Sequence, residues 1–179
     1  MDIHRKALIL PFKEYTPIID PTVLLCPGAV VLGDVHIGEY SSVWFNTVIR
    51  GDVFHIRIGQ RTNIQDLSML HVTYQRYPLI IGDDVTIGHS AIVHGATIEN
   101  SILIGMGAKI LDRAIVRSHS IVAAGSVVRE GFEVPEGTLV AGVPAKIVRE
   151  LTEQEREKIH LSARGYIEYA KEYKQQFDI

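Results

Sequence analysis

From Ile98 onward, aliphatic residues fall at Ile98, Ile104, Ile110, Val116, Val122 and Val128, a strict period of six. Neither the alternation of a half-buried strand nor the 3.6 period of a helix produces this spacing. An aliphatic residue every six positions, with Gly, Ser or Ala around it, predicts a parallel β-helix of hexapeptide repeats. Three such hexads complete one triangular coil, and the aliphatic residue points at the axis. Earlier hexads begin at Ile19, Leu25 and Val31; Ile37, Val43 and Ile49; Ile58, Ile64 and Leu70; and Ile81, Ile87 and Val93. Val134 stays in phase beyond the regular run. The rhythm breaks between Ile49 and Ile58, between Leu70 and Ile81, and between Val93 and Ile98. Each break follows the third hexad of a coil, so a single edge of the prism is predicted to absorb every change of length.

Residues 1–18 read as a lead-in, with Pro11 and Pro17 opposing regular structure. Residues 19–150 form the predicted β-helix, of about six to seven coils. Residues 151–179 change character: Thr152 with Glu155 forms a capping-box pattern. Ile159, Ala163, Tyr166, Ile167, Ala170, Tyr173 and Phe177 then make an apolar stripe at helical spacing. This C-terminal helix is expected to pack along the prism or a partner, with Gly165 as its weak point.

Composition narrows the function classes. The hydrophobic share of 46% with only 7% aromatic suits a narrow interior of Val, Ile and Leu. A formal charge of −3 supports neither a nucleic acid nor an acidic membrane as partner. Cys26 is the only cysteine, which leaves no intramolecular disulfide framework. No secretory signal or membrane-length apolar run is seen, and the expected location is the cytoplasm.

The register places the histidines. His71 follows Leu70 and His94 follows Val93, so both point outward in one column, roughly 4.8 Å apart as neighbouring strands are. Such a pair suits either a shared metal ion or hydrogen bonds on a polar surface. His89 falls in the second hexad of its coil and faces elsewhere. A cyclic trimer of parallel prisms would bring His89 of one subunit against the His71 and His94 of the next, completing a three-histidine site with an open fourth position. Arg50 shares the column of His71 and His94 and needs an anion; Asp52 is the local candidate. Gln65 and Asp66 lie on the second face of their coil, Asp66 in the position taken by His89 one coil later, from which it can reach Arg50 of a neighbour.

The segments VIRGDV (48–53), IGQRTNIQD (58–66), MLHV (69–72), IGHSAIVHG (87–95), IGMGA (104–108) and AGVPAK (141–146) together resemble the gamma-class carbonic anhydrase family, in its short-loop branch within the left-handed β-helix hexapeptide-repeat proteins. The resemblance implies an all-β left-handed parallel β-helix followed by a C-terminal α-helix, and a homotrimer. It implies Zn2+, or alternatively Fe2+, at each subunit interface, held by His71 and His94 from one subunit and His89 from the next. Arg50 and Asp66 would form the intersubunit salt bridge. Asp52, Gln65, Asn63 and Tyr166 would serve the reaction, the hydration of carbon dioxide to bicarbonate by metal-bound hydroxide. The sequence departs from the active archetype at Val53, where that enzyme carries Glu, and in the loop VTYQRYPL (72–79), which holds no carboxylate; turnover is therefore expected to be slow.

Two other classes fit the fold. A hexapeptide-repeat acyltransferase would use a histidine as general base on an acceptor hydroxyl or amine with an acyl thioester donor, and the AGVPAK segment recurs in such enzymes. A catalytically silent metal-binding accessory protein is the third.

Overall fold

The computed structural model of the chain describes residues 6–177, the side chain of Phe177 excepted. Residues 1–5 of the lead-in, the Phe177 side chain of the predicted stripe, and residues 178 and 179 lie outside the described residues. The chain winds as a left-handed parallel β-helix of about seven coils, capped by one C-terminal α-helix.

The hexad register is the register of the structure. Ile49, Leu70, Val93, Ile110 and Val128 stack on one face. Ile37, Ile58, Ile81, Ile98, Val116 and Val134 stack on a second. Val43, Ile64, Ile87, Ile104, Val122 and Val140 stack on a third. These side chains meet at the axis, where Ile49, Leu70, Val93, Ile64, Ile87 and Ile104 are all fully buried. The first two faces join into one sheet because Val30–Ile37 and Val48–Ile58 are long strands that run around the edge between them. That is the edge to which the sequence assigned the length changes. It carries the Leu70 to Ile81 loop, closed by a bridge between Thr73 and Tyr77, and the shortened turn at Gly95. Parallel pairing begins before the hexad rhythm does: Leu8–Leu10 runs beside Val30–Leu32.

The other two edges turn through single left-handed residues stacked coil upon coil. Asn46, Leu67 and Ser90 turn one; Tyr40, Arg61, Asp84, Ser101 and His119 turn the other. A non-glycine residue adopts this conformation at a cost of roughly 1–2 kcal/mol. The cost is offset by hydrogen bonds between coils, such as Ser90 N to Asp66 O at 2.9 Å and Asp84 N to Gln60 O at 3.0 Å. Buried hydroxyls fasten the same edges: Thr47 Oγ1 donates to Gln65 O, Thr62 Oγ1 to Gly82 O and Ser41 Oγ to Gly59 O, each at 2.8 Å. Among the described residues no buried side-chain nitrogen or oxygen lacks a partner.

The C-terminal helix Glu153–Phe177 starts at the expected capping box. Glu155 N donates to Thr152 Oγ1 (3.3 Å), and Thr152 N donates back to the Glu155 carboxylate (2.9 Å). Arg149 adds a two-pronged ion pair to Glu155, whose carboxyl these bonds hold down at about 2. The helix runs unbroken through Gly165. Ile159, Ala163 and Ala170 of the predicted stripe are buried, with Tyr166 and Tyr173 half-buried against Leu24, Cys26 and Trp44 of the third face. Burial pushes the Cys26 thiol up to about 12, leaving it a packing residue. Among the described residues no helix is long and apolar enough to cross a membrane.

Candidate functional site

The residue after each inward aliphatic side chain distinguishes the three faces. Where glycine holds that position on the second and third faces, the backbones close in: a Cβ on Gly59 would stand 2.6 Å from the Gly82 carbonyl carbon, and one on Gly88 would stand 2.7 Å from Met106 N. On the first face the same position carries Arg50, His71 and His94, and their side chains point outward.

His71 and His94 are paired in register on adjacent strands. Their rings lie 5.0 Å apart, centroid to centroid, and His71 Nδ1 is 3.1 Å from His94 Nε2. A carboxylate closes each end of the pair. Asp52 Oδ1 lies 3.1 Å from His71 Nε2, and Asp112 Oδ1 lies 2.6 Å from His94 Nδ1. Arg50 Nη1 donates to Asp52 Oδ2 at 2.6 Å, as expected of its local partner, and Thr73 Oγ1 donates to Asp112 Oδ2 at 2.6 Å. Burial alone would raise the Asp52 carboxyl, but the hydrogen bonds from Arg50 and His71 and the Arg50 charge hold it below the usual range. Burial pushes the His71 imidazole below its ordinary value, helped by the charges of Arg50 and His94 and opposed by Asp52.

Counting protons shows what this row can do. Two neutral imidazoles carry one N–H each. If those protons face Asp52 and Asp112, the nitrogens that face each other are both lone pairs. A third proton between them would complete the row, as one positive charge shared by two rings and bracketed by two carboxylates. The carboxylates at either end fix the orientation of both rings, while burial disfavours charge on His71.

The remaining site residues form a second cluster on the third face. His89 Nδ1 pairs with Asp66 Oδ2 at 2.6 Å. The backbone N–H of His89 donates to Gln65 Oε1 (3.2 Å), Gln65 Nε2 donates to Asn63 Oδ1 (3.2 Å), and Asn63 Nδ2 donates to Thr86 Oγ1 (2.9 Å). Thr86 meets Ser162 of the helix at 3.2 Å. Gln65 and Asn63 are buried, so their amides hold the His89 segment and tie it to the helix. Tyr166, whose phenol is pushed up by burial, lines a cleft of about 390 Å³ beside His89 and Asp66.

The structure therefore joins Arg50, Asp52, His71 and His94 on one face and Asn63, Gln65, Asp66, His89 and Tyr166 on another. Two members of the first group were missed. Asp112 and Thr73 lie at the irregular edge, where the hexad count does not fix which coil faces which. The available signal was an Asp two residues past Ile110, one coil beyond His94.

No protein-family model matches the chain. It is 47% identical over 167 residues to a carbonic anhydrase of Geobacillus kaustophilus, covering 93% of this chain and 91% of that one. It superposes on a Bacillus cereus structure provisionally described as an acetyltransferase with TM-score 0.93 and 44% identity, covering 95% of this chain and 98% of that one. The chain belongs to the left-handed β-helix superfamily of hexapeptide-repeat proteins. A mitochondrial gamma carbonic anhydrase 2 of Arabidopsis thaliana is 42% identical over 94% of this chain, which spans 62% of that protein's length. The descriptions of these hexapeptide-repeat relatives divide between carbonic anhydrase and acetyltransferase, so they do not separate the two branches.

Two expectations are corrected. Among the described residues no group of three or more His, Cys, Asp and Glu side chains is placed to hold a metal ion, so the Zn2+ or Fe2+ centre expected of His71, His89 and His94 is not assembled by this chain. The physical reason is that each ring is engaged elsewhere: His71 and His94 by each other, Asp52 and Asp112, and His89 by Asp66 on a different face. The expected zinc lyase, hydrating carbon dioxide to bicarbonate, depended on that centre and is corrected with it; the superposition at TM-score 0.93 is instead on the structure described for acetyl transfer.

Proposed function

We propose that this protein is a hexapeptide-repeat acyltransferase, moving an acyl group from a thioester to a hydroxyl or amine. The observation that carries the reading is the His71–His94 pair bracketed by Asp52 and Asp112. As the acceptor's oxygen or nitrogen attacks the thioester carbonyl, its proton passes to the paired imidazoles, where Asp52 and Asp112 stabilise the shared positive charge. The carbon–sulfur bond then breaks and the same proton is returned to the leaving thiolate. The Bacillus cereus likeness and the AGVPAK segment at 141–146 support the donor class.

The reading calls for a homotrimer in the cytoplasm, with the His89 face of one copy against the His71–His94 face of the next. Arg50 is 37% exposed, and Asp66 engages His89 through one oxygen only, which leaves both able to pair across such a contact.

The test is thiol release from acetyl coenzyme A with a panel of small amines and alcohols, for the parent and His94→Ala. Acceptor-dependent release that survives a chelator and falls at least about 10²-fold in the variant is the expected result. No acceptor-dependent release in the parent, or release that needs added divalent metal, would overturn the proposal.

A further inference from the structure

We infer that the loop from Thr73 to Tyr77 is a brace that decides which ring nitrogen of His94 carries the proton, with Thr73 as its positioning residue and Gly95 as the gap through which it works. The loop holds no carboxylate of its own, yet it reaches both ends of the histidine row. Thr73 Oγ1 donates to Asp112 Oδ2 at 2.6 Å, and Asp112 Oδ1 meets His94 Nδ1 at 2.6 Å. At the loop's tip Gln75 N donates to Val53 O at 3.1 Å, and Val53 follows Asp52 in the chain. The loop is itself held: Thr73 N donates to Tyr77 O at 3.2 Å, and the Arg76 and Arg113 guanidiniums lie 5.2 and 5.5 Å from the centre of the Tyr77 ring.

Gly95 explains how Asp112 reaches the ring. It directly follows His94, with φ +51°, and its backbone is fixed from both sides: its N–H donates to His71 O at 3.1 Å and its carbonyl accepts from Arg113 N at 2.8 Å. A Cβ at this position would collide with Asp112 Oδ1 and stand 3.0 Å from Tyr77 Cβ. The space a side chain would take is the space the carboxylate uses. A carboxylate offers only lone pairs, so at 2.6 Å His94 Nδ1 carries the proton and Nε2 keeps a lone pair toward His71. A neutral imidazole takes whichever tautomer its partners select. Thr73 selects indirectly: its hydroxyl holds Oδ2 and so turns Oδ1 to the ring, and without it the carboxylate can rotate away. The kinetic consequence of this placement rests on the acyl-transfer reading; the placement itself does not.

The test reads the tautomer directly. The full-length protein, labelled with nitrogen-15 at histidine, is studied by long-range proton–nitrogen correlation NMR at about pH 9, well above the ordinary imidazole range, with His94→Ala identifying the ring. The parent should show His94 protonated at Nδ1 alone. Thr73→Val, which removes the hydroxyl, should give a mixture of the two tautomers, and Thr73→Ser should restore the parent pattern. Thr73→Val should also lower kcat for acetyl transfer about tenfold with KM unchanged, and should add no further loss in an Asp112→Ala background, as residues acting in series do. A parent protonated at His94 Nε2 would overturn the inference, as would Thr73→Val with the parent's tautomer. If Thr73→Val loses its native circular dichroism, Thr73→Ala decides by the same reading. A parent with the expected tautomer and no acetyl transfer would uphold this inference and remove the acyl-transfer reading instead.

Discussion

The first and third faces carry histidines under the same repeat and use them differently. On the first face, His71 and His94 occupy the same place in adjacent coils, so the stacking that fills the interior also pairs their rings. On the third face the coil before His89 presents Asp66, and the same stacking produces an imidazole–carboxylate pair beside a wall of aromatic rings. A solenoid therefore writes its surface chemistry by columns. What a residue can do is set by what stands one coil above and below it, at distances the backbone has already fixed.

The largest expected contrast between the two faces is catalytic. His94→Ala should lower acyl transfer by about 10²- to 10⁴-fold, while His89→Ala should change kcat by less than about tenfold. Steady-state kinetics on both variants, with trimer content measured by sedimentation, checks this; equal losses would erase the division of labour. The interiors of the two faces should instead behave alike. Leu70→Ala and Ile87→Ala each remove a fully buried side chain, and each should cost about 2–5 kcal/mol in urea unfolding. Markedly unequal values would mean that the coils do not share their packing evenly.

Smaller effects belong to the helix that covers the third face. A Cβ added at Gly165 meets nothing within 4 Å, so Gly165→Ala should stabilise the protein by roughly 0.5–1 kcal/mol, read as a raised urea midpoint with unchanged slope. The smallest effect is a pH dependence at the capping box. The folded carboxyl of Glu155 sits at about 2, against 4.5 ordinarily. Its contribution is therefore fully present above pH ~4.5 and is lost as pH falls toward 2. Glu155→Gln should flatten thermal stability over that window and leave neutral-pH activity unchanged; an acid limb identical in parent and variant would refute the linkage.

Most of the fold was legible because one physical requirement repeats. Every coil must put a branched aliphatic side chain at the axis, so Ile98 to Val128 announce the period and the interruptions announce the edge that tolerates them. Even the His71–His94 pairing followed from counting. The capping box at Thr152 and Glu155 was legible for a similar reason, since its partners are three residues apart and their bonds are local. Parallel pairing at Leu8–Leu10 escaped, because it falls before the hexads and shows no period.

Sequence alone determined the prism, its register, the columns on which Arg50, His71 and His94 stand, and the separation of His89 from them. Only the tertiary structure decided what those side chains touch. Asp112 reaches His94 across a coil at the irregular edge, Asp66 closes on His89, and Tyr166 and Tyr173 meet Trp44 although more than a hundred residues separate them in the chain. The physical reason is that the hexad period fixes backbone positions to within a strand spacing. Hydrogen bonds, ion pairs and ring contacts are set by angles and distances of a fraction of that spacing, and these depend on side-chain packing between segments that the period does not connect.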